Sequence, residues 1–247
     1  SRSRSVMNPA DTLQPTPEFE RALGTIGLSL TAEEVGRCGR FLELLLETNQ
    51  QFNLTAITDV GEAWMRHVLD SLSVLRHLGE ARTVVDVGSG GGLPGVPLAI
   101  ACPSVSFTLV EATGKKARFI ERAVEALGLD NVTVLADRAE TVGQQPPHRQ
   151  RYEVAVARAV GPMRVMLEYT LPLVRLEGRV LAMKGPRFER ELDEAGDALM
   201  ALGGGAVELY EALPGLDNEL VIVEVHKAAP TPRQYPRRPG DPKARPL

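Results

Sequence analysis

Cysteine is nearly absent from this 247-residue sequence: Cys38 and Cys102 lie far apart, in separate predicted helices. A disulfide framework is therefore not expected. No apolar run reaches the roughly 18 residues a membrane span needs, so none is expected. The N-terminal stretch SRSRSVMNPADT lacks the apolar centre of a signal peptide and reads as a solvated arm. Aromatic residues make up only 4%, which weighs against a pocket for a small apolar substrate. None of the four histidines (67, 77, 148 and 226) has metal-ligand spacing to another His or Cys, so no metal is expected. The expectation is a soluble, monomeric, cytoplasmic protein with no membrane contact.

What is present is an apolar content of 43%, enough for a large core, and a net charge of −4 that argues against generic nucleic-acid binding. The charge is unevenly spread. Residues 227–247 hold Lys227, Arg233, Arg237, Arg238, Lys243 and Arg245 against Asp241, a net +5, leaving −9 on residues 1–226. That asymmetry reads either as a patch that meets phosphates or as a solvated tail.

Helical spacing predicts helices over 17–28, 31–53 and 60–78. Thr31 followed by Glu34 makes a capping box, and Asp59 is a candidate N-cap. The stripe Val35, Cys38, Leu42, Leu45 and Leu46 is a core-facing side. From residue 82 strands alternate with helices. Strands are predicted at 82–87, 105–111, 132–136, 153–158, 178–184, 206–212 and 219–227. Helices are predicted at 94–102, 114–128, 138–143, 162–176 and 187–202. This order implies an α/β, parallel, right-handed, doubly wound sheet, with the last two strands an antiparallel hairpin across LPGLDN. The ligand crevice then lies at the carboxyl ends of the first and fourth strands. The chain divides into an arm with a helical extension (1–78), the α/β domain (79–228) and a Pro/Arg-rich extended tail (229–247).

The α/β domain is organised around VVDVGSGGGLPG, residues 84–95: a β-branched strand, a glycine run and an apolar helix. With no Cβ in the way, backbone N–H groups can approach a nucleotide-type ligand closely. A G-x-G-x-x-G pattern can be counted from Gly90, but a run this rich in glycine satisfies many patterns. The acids discriminate better. Asp86 before the loop repels the pyrophosphate of a dinucleotide and suits the cationic amino group of S-adenosylmethionine. Glu111 ends the second strand, where a carboxylate can take two ribose hydroxyls, and Asp137-Arg138-Ala139-Glu140 ends the third. Structural roles compete with each: a loop cap for Asp86, a solvated strand end for Glu111.

Several segments match one family: Asn53-Leu54-Thr55, Arg66-His67-Val68-Leu69-Asp70-Ser71, the glycine loop through Gly95, Gly114-Lys115-Lys116, Asp137-Arg138-Ala139-Glu140, Arg158-Ala159, Lys184-Gly185 and Tyr235-Pro236-Arg237. On these the chain resembles the bacterial small-subunit ribosomal RNA guanine-N7 methyltransferases, the glucose-inhibited division protein B family. The resemblance implies a class I (Rossmann-like) methyltransferase fold with a seven-stranded, mostly parallel sheet. It implies S-adenosyl-L-methionine as donor and N7 of a guanine in 16S ribosomal RNA, free or in a ribosomal particle, as acceptor. Carried over by position, Gly88, Gly90 and Leu93 line the methionine and ribose side. Glu111, Ala112 and Thr113 hold the ribose and adenine edge, Ala139 and Glu140 contact adenine, and Arg158 stands beside the methyl group.

Guanine N7 is an unprotonated lone pair at pH 7, so transfer to it requires alignment and no general base. In keeping with that, Arg158-Ala159-Val160-Gly161 follows the fourth strand, where amino methyltransferases carry Asp/Asn-Pro-Pro-Tyr. Arg66, His67 and Asp70, with Ser71, are candidates for the RNA side, the pairs 66/70 and 67/71 sharing helix faces. The alternative is a helix docked by an Arg–Asp pair. Lys184 at a strand end, Arg233, Arg237 and Arg238 are candidate phosphate contacts, and Tyr235 a candidate for stacking on an unpaired base. A small-molecule or protein methyltransferase, or an RNA-binding factor without activity, remains an alternative at this point.

Overall fold

The computed structural model describes residues 13–247; the arm expected over residues 1–12 lies outside the described residues. Helices α1 (Pro17–Thr25) and α2 (Ala32–Asn49) start on capping threonines. The Thr16 hydroxyl accepts from Phe19 N–H and the Thr31 hydroxyl from Glu34 N–H, both at 3.2 Å. Short α3 (Val60–Ala63) is capped by Asp59, which accepts from Glu62 N–H at 2.8 Å.

The helix expected over 60–78 is not continuous. A π-helical turn occupies Trp64–Leu69, followed by α4 (Asp70–Leu72) and α5 (Leu75–Leu78). At its C-terminal end the Ser71 and Ser73 hydroxyls donate back to the carbonyls of His67 and Asp70, each at 2.5 Å. Such turns are rare and collect at functional sites.

The α/β portion runs β1 (Thr83–Val87), α6 (Gly95–Ala101), β2 (Ser106–Val110), α7 (Gly114–Leu127), β3 (Val132–Leu135), α8 (Ala139–Val142), β4 (Tyr152–Arg158), α9 (Met163–Thr170), β5 (Val174–Lys184), α10 (Phe188–Asp193), α11 (Gly196–Leu202), β6 (Gly204–Glu211) and β7 (Val221–Lys227). The sheet order is β3-β2-β1-β4-β5-β7-β6, parallel except for β7, which runs antiparallel to β5 and β6. The order reverses between β1 and β4, so the crevice falls where the pattern placed it. Two details differ from expectation. β5 begins at Val174, so three residues that read as helix (174–176) are strand, accommodated by a bulge between Val174 and Arg179 that holds Glu177 at φ +66°. The helix expected over 187–202 breaks at Glu194 and Ala195, just before Gly196.

Strand residues alternate between two cores. Val84, Val154 and Val156 face one side with α1, α2, the π turn, α6 and α7. Val85, Val87, Ala155 and Ala157 face the other with α9 and α11. The pattern changes near residue 78, but the first core continues across that point. Phe41 and Leu45 of α2 lie directly beneath the glycine loop.

The C-terminal segment is not an extended tail. It folds back over the second core and ends in α12 (Asp241–Ala244). Arg149 donates to four carbonyls, those of Gly143, Thr231, Pro232 and Tyr235. Arg237 makes a bidentate pair with the wholly buried Glu168, at 3.0 and 2.7 Å. Lys227 is also buried, donating to Val174 O and the Thr231 hydroxyl. Among the described residues no helix is long and apolar enough to cross a membrane.

Candidate active site

The glycine loop leaves β1 and turns sharply. Gly88 has φ +71°, and a Cβ there would meet Val160 Cγ1 at 2.3 Å. Gly88 N–H donates to Val110 O at 2.8 Å, pinning the turn to β2. Above Gly90 the space is open, the nearest atom to a Cβ being Gly88 O at 4.0 Å. Leu93 is partly buried along the same loop.

Asp86 does not face the ligand as expected. It is fully buried, and its Oδ2 accepts from Gly95 N–H at 2.8 Å. A Cβ on Gly95 would come within 2.6 Å of that oxygen, so the acid and the glycine fit only together. Oδ1 has no partner, and burial pushes the carboxyl up to about 8. Asp86 is thus a neutral strut at pH 7, and the electrostatic preference for a cationic ligand rests elsewhere. Glu111 carries it. Its Oε1 accepts from Gly90 N–H at 3.0 Å and its Oε2 from Thr113 N–H at 3.1 Å. Each carboxylate oxygen keeps a further lone pair for a ligand hydroxyl. Ala112 and Thr113 are exposed beside it, and Ala139 is partly buried at the mouth of α8. Glu140 is committed: its Oε2 accepts from Gly240 N–H at 2.8 Å, tying the C-terminal segment to the end of β3.

At the carboxyl end of β4, Arg158 reaches into a half-buried space. Its Nη1 is buried without a partner, as is His67 Nδ1. His67 Nε2 meets the Thr55 hydroxyl at 2.7 Å, and burial beside Arg158 pushes the imidazole down to about 4. Asp70 is pushed up to about 6 by burial, against the pull of Arg158 and Arg66. Arg66 pairs backwards with Glu62 at 3.5 Å, an exposed pair and not the Arg66–Asp70 docking pair the spacing allowed. Ala159 adopts φ +55°, a strained conformation for a residue with a side chain, at the point where the chain leaves β4.

Lys184 is no free phosphate grip. It is buried, donates to Gly161 O at 2.7 Å and pairs with Glu191 at 3.3 Å, so it braces the loop after β4. Tyr235 is partly buried against the second core, and Arg237 is spent on Glu168, while Arg233 and Arg238 are exposed. Sequence reasoning missed Val160, which packs against the loop at Gly88, and Thr55, which holds His67. Histidine–cysteine spacing also missed a cluster of three possible metal ligands, Glu208, Glu224 and His226, on adjacent strands. Glu224 there is already paired with His226 at 3.0 Å and Arg179 at 3.5 Å.

Sheet order, a glycine turn after β1, an acid ending β2 and a polar cluster at the end of β4 define a class I, Rossmann-like methyltransferase fold. Residues 36–218 match the family model GidB, rRNA small subunit methyltransferase G, and the chain belongs to that family. A ribosomal RNA small subunit methyltransferase G of Chloroflexus aggregans is 44% identical over 224 residues, covering 90% of this chain and 93% of the relative. That of Leuconostoc citreum is 40% identical over 237 residues, covering 93% and 98%. An O-methyltransferase from Bacillus cereus, solved in complex with SAH, superposes with a TM-score of 0.57 at 16% identity. It covers 85% of this chain and 97% of that one, a likeness of fold. Family membership makes the chain a methyltransferase with S-adenosylmethionine as methyl donor.

The loop suits that donor. The space over Gly90 admits a ligand against bare backbone, and the Glu111 carboxylate sits at its edge.

Proposed function

We propose that the chain methylates N7 of a guanine in 16S ribosomal RNA. The observation that carries this reading is the arginine at the end of β4. Transfer to an exocyclic amino group or a carbon needs a group there that takes a proton or attacks the base. A guanidinium does neither, because it stays charged at any working pH. It suits an acceptor whose lone pair is already free, and it can donate to the O6 beside that nitrogen.

S-adenosylmethionine supplies an activated methyl group on a sulfonium. The chain's own residues bind and align. Gly88, Gly90 and Leu93 form the bed for the methionine and ribose side, Glu111 with Ala112 and Thr113 takes the ribose, and Ala139 lies by the adenine. Arg158, Arg66, His67 and Asp70 form the RNA side. His67, neutral and held by Thr55, fixes the segment before α3 and offers Nδ1 to the substrate. Alignment of this kind supplies about 7–11 kcal/mol of a barrier. Exposed Arg233 and Arg238 are left for phosphate contact.

The test is transfer of labelled methyl from S-adenosylmethionine to small-subunit particles from cells lacking this enzyme, followed by nucleoside analysis. The label is expected in 7-methylguanosine. Label in any other nucleoside overturns the reading.

A further inference from the structure

Beside the polar cluster lies a hollow of about 390 Å³, roomy enough for a purine, between the π turn and the loop joining β6 to β7. Its walls include Met65, Leu69, Pro186, Leu216 and Leu220. The loop wall is preformed by Asn218, which donates to the carbonyls of Leu213 and Leu216 and accepts from Leu220 N–H at 2.9 Å. Arg66, Asp217 and Glu219 line it as well, with Asp70 among them. The Asp70 carboxylate makes no hydrogen bond or ion pair with the described residues. A half-buried carboxylate that feels Arg158 and Arg66 but accepts no hydrogen bond keeps its acceptor pair open to a ligand.

We propose that this hollow reads the target guanine, with the Asp70 carboxylate accepting from its N1–H and N2 amino group. The proposal rests on the guanine-N7 reading and names the site that selects the base. Guanine is the base whose pairing edge places two adjacent donors in the spacing of a carboxylate. Adenine offers a lone pair at N1 instead, which a carboxylate repels.

Arg158 interacts electrostatically with both Asp70 and Asp86. Around guanine the order is N1, O6, N7. In the proposed pose a base held at N1 by Asp70 turns O6 to Arg158, whose Nη1 lacks a partner, and N7 to the methyl donor. Methylation places positive charge on the ring and makes N1–H more acidic. The contact to Asp70 thus strengthens as the methyl group moves, which is the condition for raising the rate and not only the affinity.

The decisive variant is Asp70→Asn, which keeps shape but removes the charge and replaces one of the two acceptors with a donor, so the N1–H and N2 pair cannot both be met. Three quantities are measured: donor affinity by calorimetry, kcat/KM for methyl transfer to unmethylated small-subunit particles, and inhibition of that transfer by GMP and IMP. IMP lacks only the N2 amino group. Donor affinity is expected within twofold of wild type, while kcat/KM falls about 100-fold, the scale of a lost hydrogen bond to a charged group. GMP is expected to inhibit the wild type about tenfold more strongly than IMP, and the variant equally with both. Equal inhibition of the wild type by both nucleotides, or discrimination retained in Asp70→Asn, overturns the proposal. Unchanged kcat/KM with label in 7-methylguanosine sinks the base pocket and leaves the N7 reading standing. Label in another nucleoside takes both down.

Discussion

The two flanks of the sheet treat charge in opposite ways. The C-terminal segment, net basic and rich in proline, is fastened to the fold by charge: Arg149, from the loop before β4, donates to its carbonyls, and its own Arg237 answers the buried Glu168. The N-terminal helical flank is less basic, yet its His67 Nδ1 and the facing Arg158 Nη1 are left without partners. Density of charge therefore marks the scaffold here, and the crevice is where two unpartnered polar groups face each other. Unpaired buried polar atoms cost free energy, so a fold keeps them where a ligand completes them.

The most direct way to break that contrast is to delete the segment after Ala228. Glu168, Glu140 and Arg149 then lose their partners, and the second core loses its cover. The truncated chain is expected to be insoluble or to melt far below the intact protein. A truncation that folds, binds the donor normally and loses only RNA affinity restores the tail as a binding arm. Arg237→Ala is the finer version. It strands the buried Glu168 carboxylate and is expected to cost about 3–5 kcal/mol, lowering Tm in thermal denaturation by roughly 10 °C. Gly88→Asp acts on the site itself. Its side chain collides with Val160 at a positive φ, and donor affinity measured by calorimetry is expected to fall about 100-fold or more; near-normal binding moves the donor off this loop.

Asp86→Asn tests the strut. A carboxyl whose folded pKa is raised to about 8 contributes stability that is full below its unfolded value and is lost as pH rises through 8. The variant's stability relative to wild type is thus expected to improve steadily from about pH 4 to 8 and to level off above, by urea denaturation. A pH-independent gap means that Asp86 is ionised in the fold. Smallest of all, Arg66→Ala removes an exposed pair with Glu62 and is expected to change stability by less than about 0.5 kcal/mol. A larger loss shows that Arg66 braces the π turn.

The strands, the glycine turn and the crevice were legible because each is written locally: β-branched runs, glycines between strand and helix, alternation along the chain. Family motifs added the donor and the residues around it. What was misread is long-range partner choice. Nothing near Glu140 announces Gly240, 100 residues away, and nothing near Arg237 announces Glu168. Lys184 looked free because Gly161 and Glu191 reach it only in three dimensions. Asp86 looked like a ligand contact because burial is a property of the fold and not of a tripeptide. The π turn gave no warning either, because the residues of Trp64–Leu69 are ordinary helix residues in sequence.

The seating of the glycine turn on Phe41 and Leu45 bears on how the protein can be dissected. A fragment or chimera cut at residue 78 would carry the glycine turn and Glu111 and still have no floor for them. The practical unit for engineering, immobilisation or inhibitor screening is the helical flank and the sheet taken together, and a graft that swaps one must bring the other.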